Sequence, residues 1–228
     1  MRSNERVLNL LTGITTACAV VVTSIVVYRQ FADTPAAARN AAPARQQNRM
    51  IAGWQEQVSV GRRMGPATAP LTILYYGDFE CPACRGFTNT IEELRKAHPA
   101  DVSIVFRHSP LKYHRFAYPS ARAAECAADQ GAFEAMYRVL YGVQDSLGLL
   151  PFREIARRAA VPDLARFDRC TSDTAKVARI ERDLAAAATT QLPGTPGVII
   201  GGTLYAERLP TAGELDRLVR EARASQRK

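Results

Sequence analysis

Cysteine is scarce in this sequence, and its basic residues are not clustered. The 228 residues include five cysteines at uneven spacing, whereas small disulfide-built domains carry many cysteines in a short chain. The 30 lysines and arginines give a formal net charge of +8 but are spread along the chain. A nucleic-acid-binding surface normally gathers its basic residues in one patch. These absences argue against both classes and favour an ordinary globular domain with additional segments.

Charge is absent from a stretch near the N-terminus. Residues 7–28 contain no charged side chain, and a helix of that length spans roughly 33 Å, about one hydrocarbon core. The alternative is a cleaved signal peptide, but the run is longer than a usual secretory core and ends in Tyr28-Arg29-Gln30, not in small residues. We therefore expect residues 1–30 to hold a transmembrane anchor, whose orientation the flanking arginines leave open.

A polar segment separates this anchor from the folded part. Residues 31–49 are rich in Ala, Pro, Arg, Gln and Asn without apolar periodicity, so residues 31–56 are predicted to form a flexible linker. Residues 57–228 then form one domain, which is large enough for a single hydrophobic core.

The first half of this domain has the pattern of a βαβ unit. Residues 71–76 and 102–107 are apolar runs with β-branched and aromatic side chains, typical of buried parallel strands. Between them Phe87, Ile91 and Leu94 recur at helical spacing. The order strand, helix, strand predicts a parallel pair joined by a crossover helix.

The second half is mainly helical. Two apolar stripes at helical spacing lie between residues 119 and 192: Phe133, Met136, Tyr137, Leu140 and Tyr141, then Val177, Ile180 and Leu184. We interpret the aromatic stripe as core packing and not as a cofactor site. A β-hairpin is predicted around Gly201-Gly202, and a last helix over residues 214–224.

Cys81 and Cys84 form a close pair in Cys81-Pro82-Ala83-Cys84. Such a pair can be half of a zinc site, which requires a second close pair of Cys or His ligands. The sequence has none, because the other cysteines are single and the three histidines lack paired spacing. The pair therefore indicates thiol-disulfide exchange, in which one thiolate attacks and a second thiol resolves the mixed disulfide. No metal and no cofactor are predicted.

The pair follows a buried strand and opens a helix. If Cys81 caps that helix, backbone N–H groups and the positive end of the helix dipole stabilise its thiolate and lower its pKa. Pro82 fits the first helical position, which tolerates a missing N–H. We predict that Cys81 is the nucleophile and that Cys84 is more buried and resolving.

A second candidate segment is Gly194-Thr195-Pro196-Gly197, directly before an apolar run. An ordinary trans proline can begin a strand, whereas a cis Thr195–Pro196 bond would expose backbone groups that pair with an extended substrate. The redox motif favours the cis form. Thr195 and Pro196, with the motif residues Pro82 and Ala83, are therefore candidate substrate-binding residues.

Several segments together carry a family resemblance: Ala69-Pro70-Leu71-Thr72-Ile73, Gly77-Asp78-Phe79-Glu80 leading into the Cys81–Cys84 motif, Arg107-His108-Ser109-Pro110-Leu111 with His114, Ala121-Arg122-Ala123-Ala124-Glu125-Cys126-Ala127, and Gly194-Thr195-Pro196. In these segments the chain resembles the DsbA-like branch of the thioredoxin superfamily over about residues 57–225. The resemblance implies an α/β, thioredoxin-like fold with a helical subdomain inserted at about residues 115–192 and with Pro196 cis beside the redox pair. It also implies a cytoplasmic N-terminus and a catalytic domain outside the cytoplasm, where thiols are not kept reduced.

The resemblance bears on three further positions. Some members carry a second disulfide, and Cys126 with Cys170 resembles that structural pair, the alternative being two buried free thiols. The best-known oxidants have His before the resolving cysteine, whereas this chain has Ala83, so the resemblance does not fix its oxidising power. Asp78 is either a tuner that raises a thiol pKa or relays a proton, or a plain turn residue.

Sequence and resemblance together predict a membrane-anchored, single-pass thiol-disulfide oxidoreductase. It would pass a Cys81–Cys84 disulfide to extracytoplasmic proteins with cysteine thiols and be reoxidised by a membrane redox partner. No nucleic-acid partner is predicted. Two alternatives stay open. One is a reductase or isomerase of disulfides, and the other is a membrane-tethered binding module or chaperone.

Overall fold

The computed structural model describes residues 19–29, 48–206 and 208–226. They belong to two compact units that divide between Arg45 and Gln46.

In the first unit, residues 19–29 are helical and their valine and isoleucine side chains are exposed. Residues 1–18 and 30 of the predicted anchor segment and residues 31–47 of the predicted linker lie outside the described residues. Within the described ranges, no helix has the length and hydropathy needed to cross a bilayer. The described structure therefore does not support the predicted transmembrane helix.

The elements of the second unit are numbered in chain order. The strands are β1 (Arg49–Met50), β2 (Arg62–Met64), β3 (Leu71–Gly77), β4 (Val102–His108), β5 (Gly197–Ile200) and β6 (Thr203–Leu204). The helices are α1 (Trp54–Ser59), α2 (Pro82–Ala97), α3 (Ala117–Ala128), α4 (Phe133–Gly142), α5 (Phe152–Arg158), α6 (Leu164–Ser172), α7 (Ala178–Thr189) and α8 (Ala212–Gln226), with a 3-10 turn at Gln144–Ser146.

The six strands form one sheet in the order β1-β6-β5-β3-β4-β2. β3 lies near its centre, parallel to β4 and antiparallel to β5. Every residue of β4 and all of β3 except Thr72 are buried, as expected for strands covered on both faces. The predicted βαβ unit is confirmed, and α2 is its crossover helix.

The helices α3 to α7 lie between β4 and β5 in the chain, where the sequence predicts a helical insertion. The aromatic stripe of α4 is buried and packs into the main core, so its interpretation as core is confirmed. The stripe predicted on α7 is partly wrong. Ile180 is buried, but Leu184 is only half-buried. The buried position beside Ile180 is Asp183, which bonds to Arg107 of β4 (2.7 Å).

β5 and β6 form the predicted hairpin, with Ile200 opposite Thr203. Its turn residues Gly201 and Gly202 have φ values of 56° and 84°. Both angles lie in the left-handed region that glycine adopts without a steric penalty, and two such residues match the twist of a two-residue hairpin. The glycine pair therefore fixes the turn.

Ordered structure begins before residue 57, where the sequence predicts the domain to start. β1 pairs with β6 at the sheet edge, and the backbone N–H of the buried Ile51 donates to Gly202 O (2.8 Å). α1 follows at Trp54–Ser59. A two-residue strand and a six-residue helix are too short to show apolar periodicity. For this reason the sequence at the end of the predicted linker gives no strand or helix signal.

Candidate active site

Cys81 is the N-cap residue of α2, and Pro82 is the first residue of the helix. β3 ends at Gly77, and a turn closed by Cys81 N–H to Asp78 O (3.2 Å) leads into the helix. Cys81 is 6% exposed and Cys84 is 0% exposed. The structure therefore places the pair where the sequence predicts it, with Cys84 the more buried of the two thiols.

The surroundings of Cys81 favour its thiolate. A hydrogen bond from the Cys84 thiol is the largest influence on the pKa. Together with the nearby Thr195 and the backbone N–H groups of Cys84 and Ala83, it outweighs the opposing effect of burial. The pKa of Cys81 is lowered to about 5. Burial raises the pKa of Cys84, and so does its hydrogen bond to Cys81. At neutral pH the reduced pair therefore consists of a Cys81 thiolate and a Cys84 thiol.

The segment before β5, 114 residues away in sequence, lies against this sulfur. The Thr195–Pro196 peptide bond is cis, and Cys81 Sγ lies 3.5 Å from Thr195 O. Thr195 and Pro196 are half-buried, whereas Pro82 and Ala83 are exposed. These four positions surround Cys81, and the side chain of Ala83 adds no donor.

Asp78 is buried and ties together two loops at the same end of the sheet. Its Oδ1 accepts from Glu80 N (2.7 Å), while its Oδ2 accepts from Leu111 N (2.8 Å) and lies 2.8 Å from His114 Nδ1. Its own N–H points at Cys84 Sγ (3.5 Å). This carboxylate therefore fixes the turn before Cys81 to the loop after β4.

Gln144 is a site residue that sequence reasoning missed. Its Nε2 donates to Phe79 O (2.7 Å) and Cys81 O (3.0 Å), so one buried amide clamps both carbonyls of the active-site turn. It comes from the 3-10 turn after α4, 63 residues from Cys81 in sequence. No local pattern marks such a residue, because its partners are backbone atoms of a distant turn.

Buried hydroxyl groups lie behind Cys84. Tyr75 OH donates to Cys84 O (3.1 Å) and also contacts Tyr141 OH (3.1 Å) and Thr88 Oγ1 (3.3 Å). Burial raises the pKa of Tyr75 and Tyr141 well above the usual tyrosine value. The hydroxyls therefore stay protonated, and the groups behind the resolving cysteine are uncharged.

A second pair of cysteines lies apart from the redox pair. Cys126 of α3 and Cys170 of α6 form a disulfide with a Cα–Cα distance of 5.8 Å, which joins two helices of the insertion. In the ranges 19–29, 48–206 and 208–226, no group of three or more His, Cys, Asp or Glu side chains is arranged to hold a metal ion.

Comparison with known proteins agrees with this geometry. The family model described as Thioredoxin matches residues 57–221. A thioredoxin-like oxidoreductase from Silicibacter pomeroyi is 26% identical with a TM-score of 0.61, over 72% of this chain and 93% of that one. Pseudomonas aeruginosa DsbA2 is 27% identical with a TM-score of 0.51, over 70% of this chain and 94% of that one.

Among curated relatives, the Na(+)/H(+) antiporter NhaA 3 of Salinispora tropica is 38% identical over 139 residues. The match covers 60% of this chain and 21% of the antiporter. This chain therefore corresponds to about a fifth of that relative's length.

Proposed function

This chain belongs to the thioredoxin family and is a DsbA-like member of the thioredoxin superfamily, and from that premise we propose that its Cys81–Cys84 pair donates a disulfide to client proteins. The fold and the DsbA-like neighbours support thiol-disulfide oxidoreductase activity in general. The direction of exchange, towards oxidation of clients, is the more specific part of the proposal.

The exchange proceeds in two steps. A client thiolate attacks Cys81 Sγ in the oxidised protein, forming a client–Cys81 disulfide and releasing Cys84 as a thiolate that takes up a proton. A second client thiolate then attacks the client sulfur and displaces the Cys81 thiolate. The client loses two electrons and gains a disulfide, while the Cys81–Cys84 pair gains those electrons and becomes a dithiol.

The observation that carries the direction is the stabilised Cys81 thiolate, with its pKa lowered to about 5. A low pKa makes Cys81 a good leaving group in the second step and stabilises the reduced form of the pair. When the reduced form is the stable one, the disulfide is a strong oxidant. The contact of the Thr195–Pro196 segment with Cys81 supports the binding of an extended client strand there.

The reduction potential tests this direction. The pair is equilibrated in glutathione buffers, with the variant Cys126→Ala/Cys170→Ala as the control that removes the other disulfide. A potential near the DsbA value of about −120 mV is expected, whereas one near the thioredoxin value of about −270 mV would overturn the donor role and indicate a reductase.

Insulin turnover by the Cys81→Ser variant distinguishes an enzyme from a binding module. An enzyme loses its activity on insulin in this variant, whereas a binding module keeps its effect.

We further propose that this domain works outside the cytoplasm on a membrane anchor and is reoxidised by a membrane partner. A disulfide donor requires an oxidising compartment. The uncharged run at residues 7–28 has the length of a bilayer span, and its described part is helical with exposed apolar side chains. Extraction of the full-length chain from membranes by detergent, but not by carbonate, tests the anchor.

A further inference from the structure

The loop of residues 112–116 is held beside the redox pair by the turn that precedes Cys81. Asp78 binds the loop at Leu111 N and His114 Nδ1, and Glu80 Oε2 accepts from Phe116 N (2.5 Å). Glu80 is the residue directly before Cys81. Two carboxylates of the active-site turn therefore fix this loop next to the nucleophile.

The side chains that the loop presents are basic and aromatic. Lys112, Tyr113 and Arg115 are exposed, Tyr113 by 78%. Neither cation forms an ion pair with any residue that the structure describes, and Arg115 lies over the Phe116 ring at 5.3 Å. By contrast, Arg85 at the start of α2 is paired with Asp145 (2.6 Å).

An exposed apolar side chain lies next to the loop. Gly148 is so close to Phe116 that an added Cβ would lie 2.1 Å from the ring. The next residue, Leu149, is 85% exposed. Lys112, Tyr113, Arg115 and Leu149 together form a surface that we name the basic rim.

We propose that the basic rim selects client segments that carry acidic residues beside the reacting cysteine. This inference rests on the proposed oxidation of clients by Cys81. A client segment bound at Cys81 lies near the basic rim, because the turn that leads into Cys81 is hydrogen-bonded to the loop of residues 112–116 through Asp78 and Glu80. Lys112 and Arg115 attract carboxylates of the client, while Tyr113 and Leu149 offer apolar contact. Charges at the edge of an interface act mainly on the association rate, and salt weakens them.

The test uses three dithiol peptides that differ only in the residues next to the reactive cysteine, which are Glu, Gln or Lys. The rate at which the oxidised full-length chain oxidises each peptide is divided by that peptide's rate with oxidised glutathione, because neighbouring charges also change thiol reactivity. We expect the Glu peptide to react about fivefold faster than the Lys peptide at low salt, with the preference shrinking at high salt. In Lys112→Glu/Arg115→Glu the preference should vanish or reverse.

Lys96→Glu/Arg217→Glu is the matched control, because it changes the net charge equally. Lys96 lies roughly 22 Å from Cys81 along the axis of α2. Arg217 follows Asp216, which contacts His98 at that same far end (2.8 Å). The control should keep the preference for the Glu peptide. Equal effects of both variants, or an unchanged ratio in the loop variant, would overturn the proposal.

Two further outcomes also count against the proposal. If the loop variant loses binding to phosphatidylserine vesicles but keeps its peptide ratio, the basic rim serves a membrane surface instead. If no peptide is oxidised by the wild-type chain, the proposed function itself fails, and this inference fails with it. Oxidation of all three peptides at equal rates refutes the inference alone.

Discussion

The sulfur of Cys81 accepts hydrogen bonds from the Cys84 thiol and two backbone N–H groups of α2. Because these bonds lower the Cys81 pKa to about 5, the rate of alkylation of the reduced protein should stay constant at neutral pH. It should fall as the pH drops through about 5, measured with iodoacetamide over a pH series. The lowered pKa also stabilises the reduced fold. This contribution is fully present above the usual thiol pKa of about 8.5, shrinks as the pH falls below it, and is gone below about 5.

Cys84→Ala is the informative variant for this prediction, because it removes the largest contribution to the lowered pKa. The alkylation midpoint of Cys81 should move upward in this variant. A wild-type midpoint near 8.5, the value of an unperturbed thiol, would contradict the hydrogen-bond account.

Gln144 acts on the same residue through the backbone. Gln144→Leu removes the donor to Phe79 O and Cys81 O, which should cost about 1 to 3 kcal/mol of unfolding free energy and shift the alkylation midpoint of Cys81. Both quantities are measured on one sample, by denaturant unfolding and by alkylation.

Gln130→Leu provides the control for Gln144. The Gln130 amide also bridges backbone groups, to Asp163 O (3.1 Å) and Asp163 N (2.9 Å), but within the helical insertion. This variant should lose stability without moving the Cys81 midpoint. If Gln144→Leu behaves in the same way, Gln144 supports the fold and does not position the nucleophile.

Elements with long, repeated patterns were predictable, and short ones were not. β3 and β4 have seven residues each, and α2 shows apolar residues over several turns. β2 has three residues, Arg62–Met64, and lies at a sheet edge, where charged side chains are common. Its polar sequence therefore gives no strand signal, although Met64 is buried.

The disulfide between α3 and α6 allows a prediction about how much this link between two helices stabilises the domain. It spans 44 residues of sequence, and a loop of that length corresponds to about 4 kcal/mol in the chain-entropy account, an upper value for such bonds. Cys126→Ala/Cys170→Ala should therefore unfold at lower denaturant concentration than the wild type. The Cys81–Cys84 potential should be unchanged, because the structure shows no contact between the two pairs among the described residues. A shifted potential would show that the insertion and the redox pair are coupled.

Across the whole domain, buried ion pairs fasten the helical insertion to the sheet. Arg107 of β4 bonds to Asp183 of α7, and both side chains are 2% exposed. Glu125 of α3 bonds to His108 and Arg62. Burial opposes ionisation of Glu125, but the hydrogen bonds from these two partners outweigh it and lower its pKa to about 2.

These pairs could not be predicted from the sequence. Arg107 and Asp183 are 76 residues apart, and only the folded chain brings them together. The stripe predicted on α7 omits Asp183 for the same reason, since a buried carboxylate cannot be distinguished from an exposed one by spacing alone. The Cys81–Cys84 pair was predictable because both of its thiols lie within one helical turn.

Asp183→Asn tests how strongly the Arg107 pair holds the insertion. The variant leaves a buried guanidinium without its carboxylate and weakens the bond from His108 N to Asp183 Oδ2 (2.9 Å), so we expect a loss of about 3 to 5 kcal/mol in unfolding free energy. Asp168→Asn removes the partner of Arg153 in an exposed pair and should cost less than about 1 kcal/mol. The chain after His108 continues into the loop that Asp78 anchors beside Cys81, so hydrogen exchange at Leu111 should also rise in Asp183→Asn alone. Equal stability of the two variants would mean that the insertion is held by apolar packing and not by this ion pair.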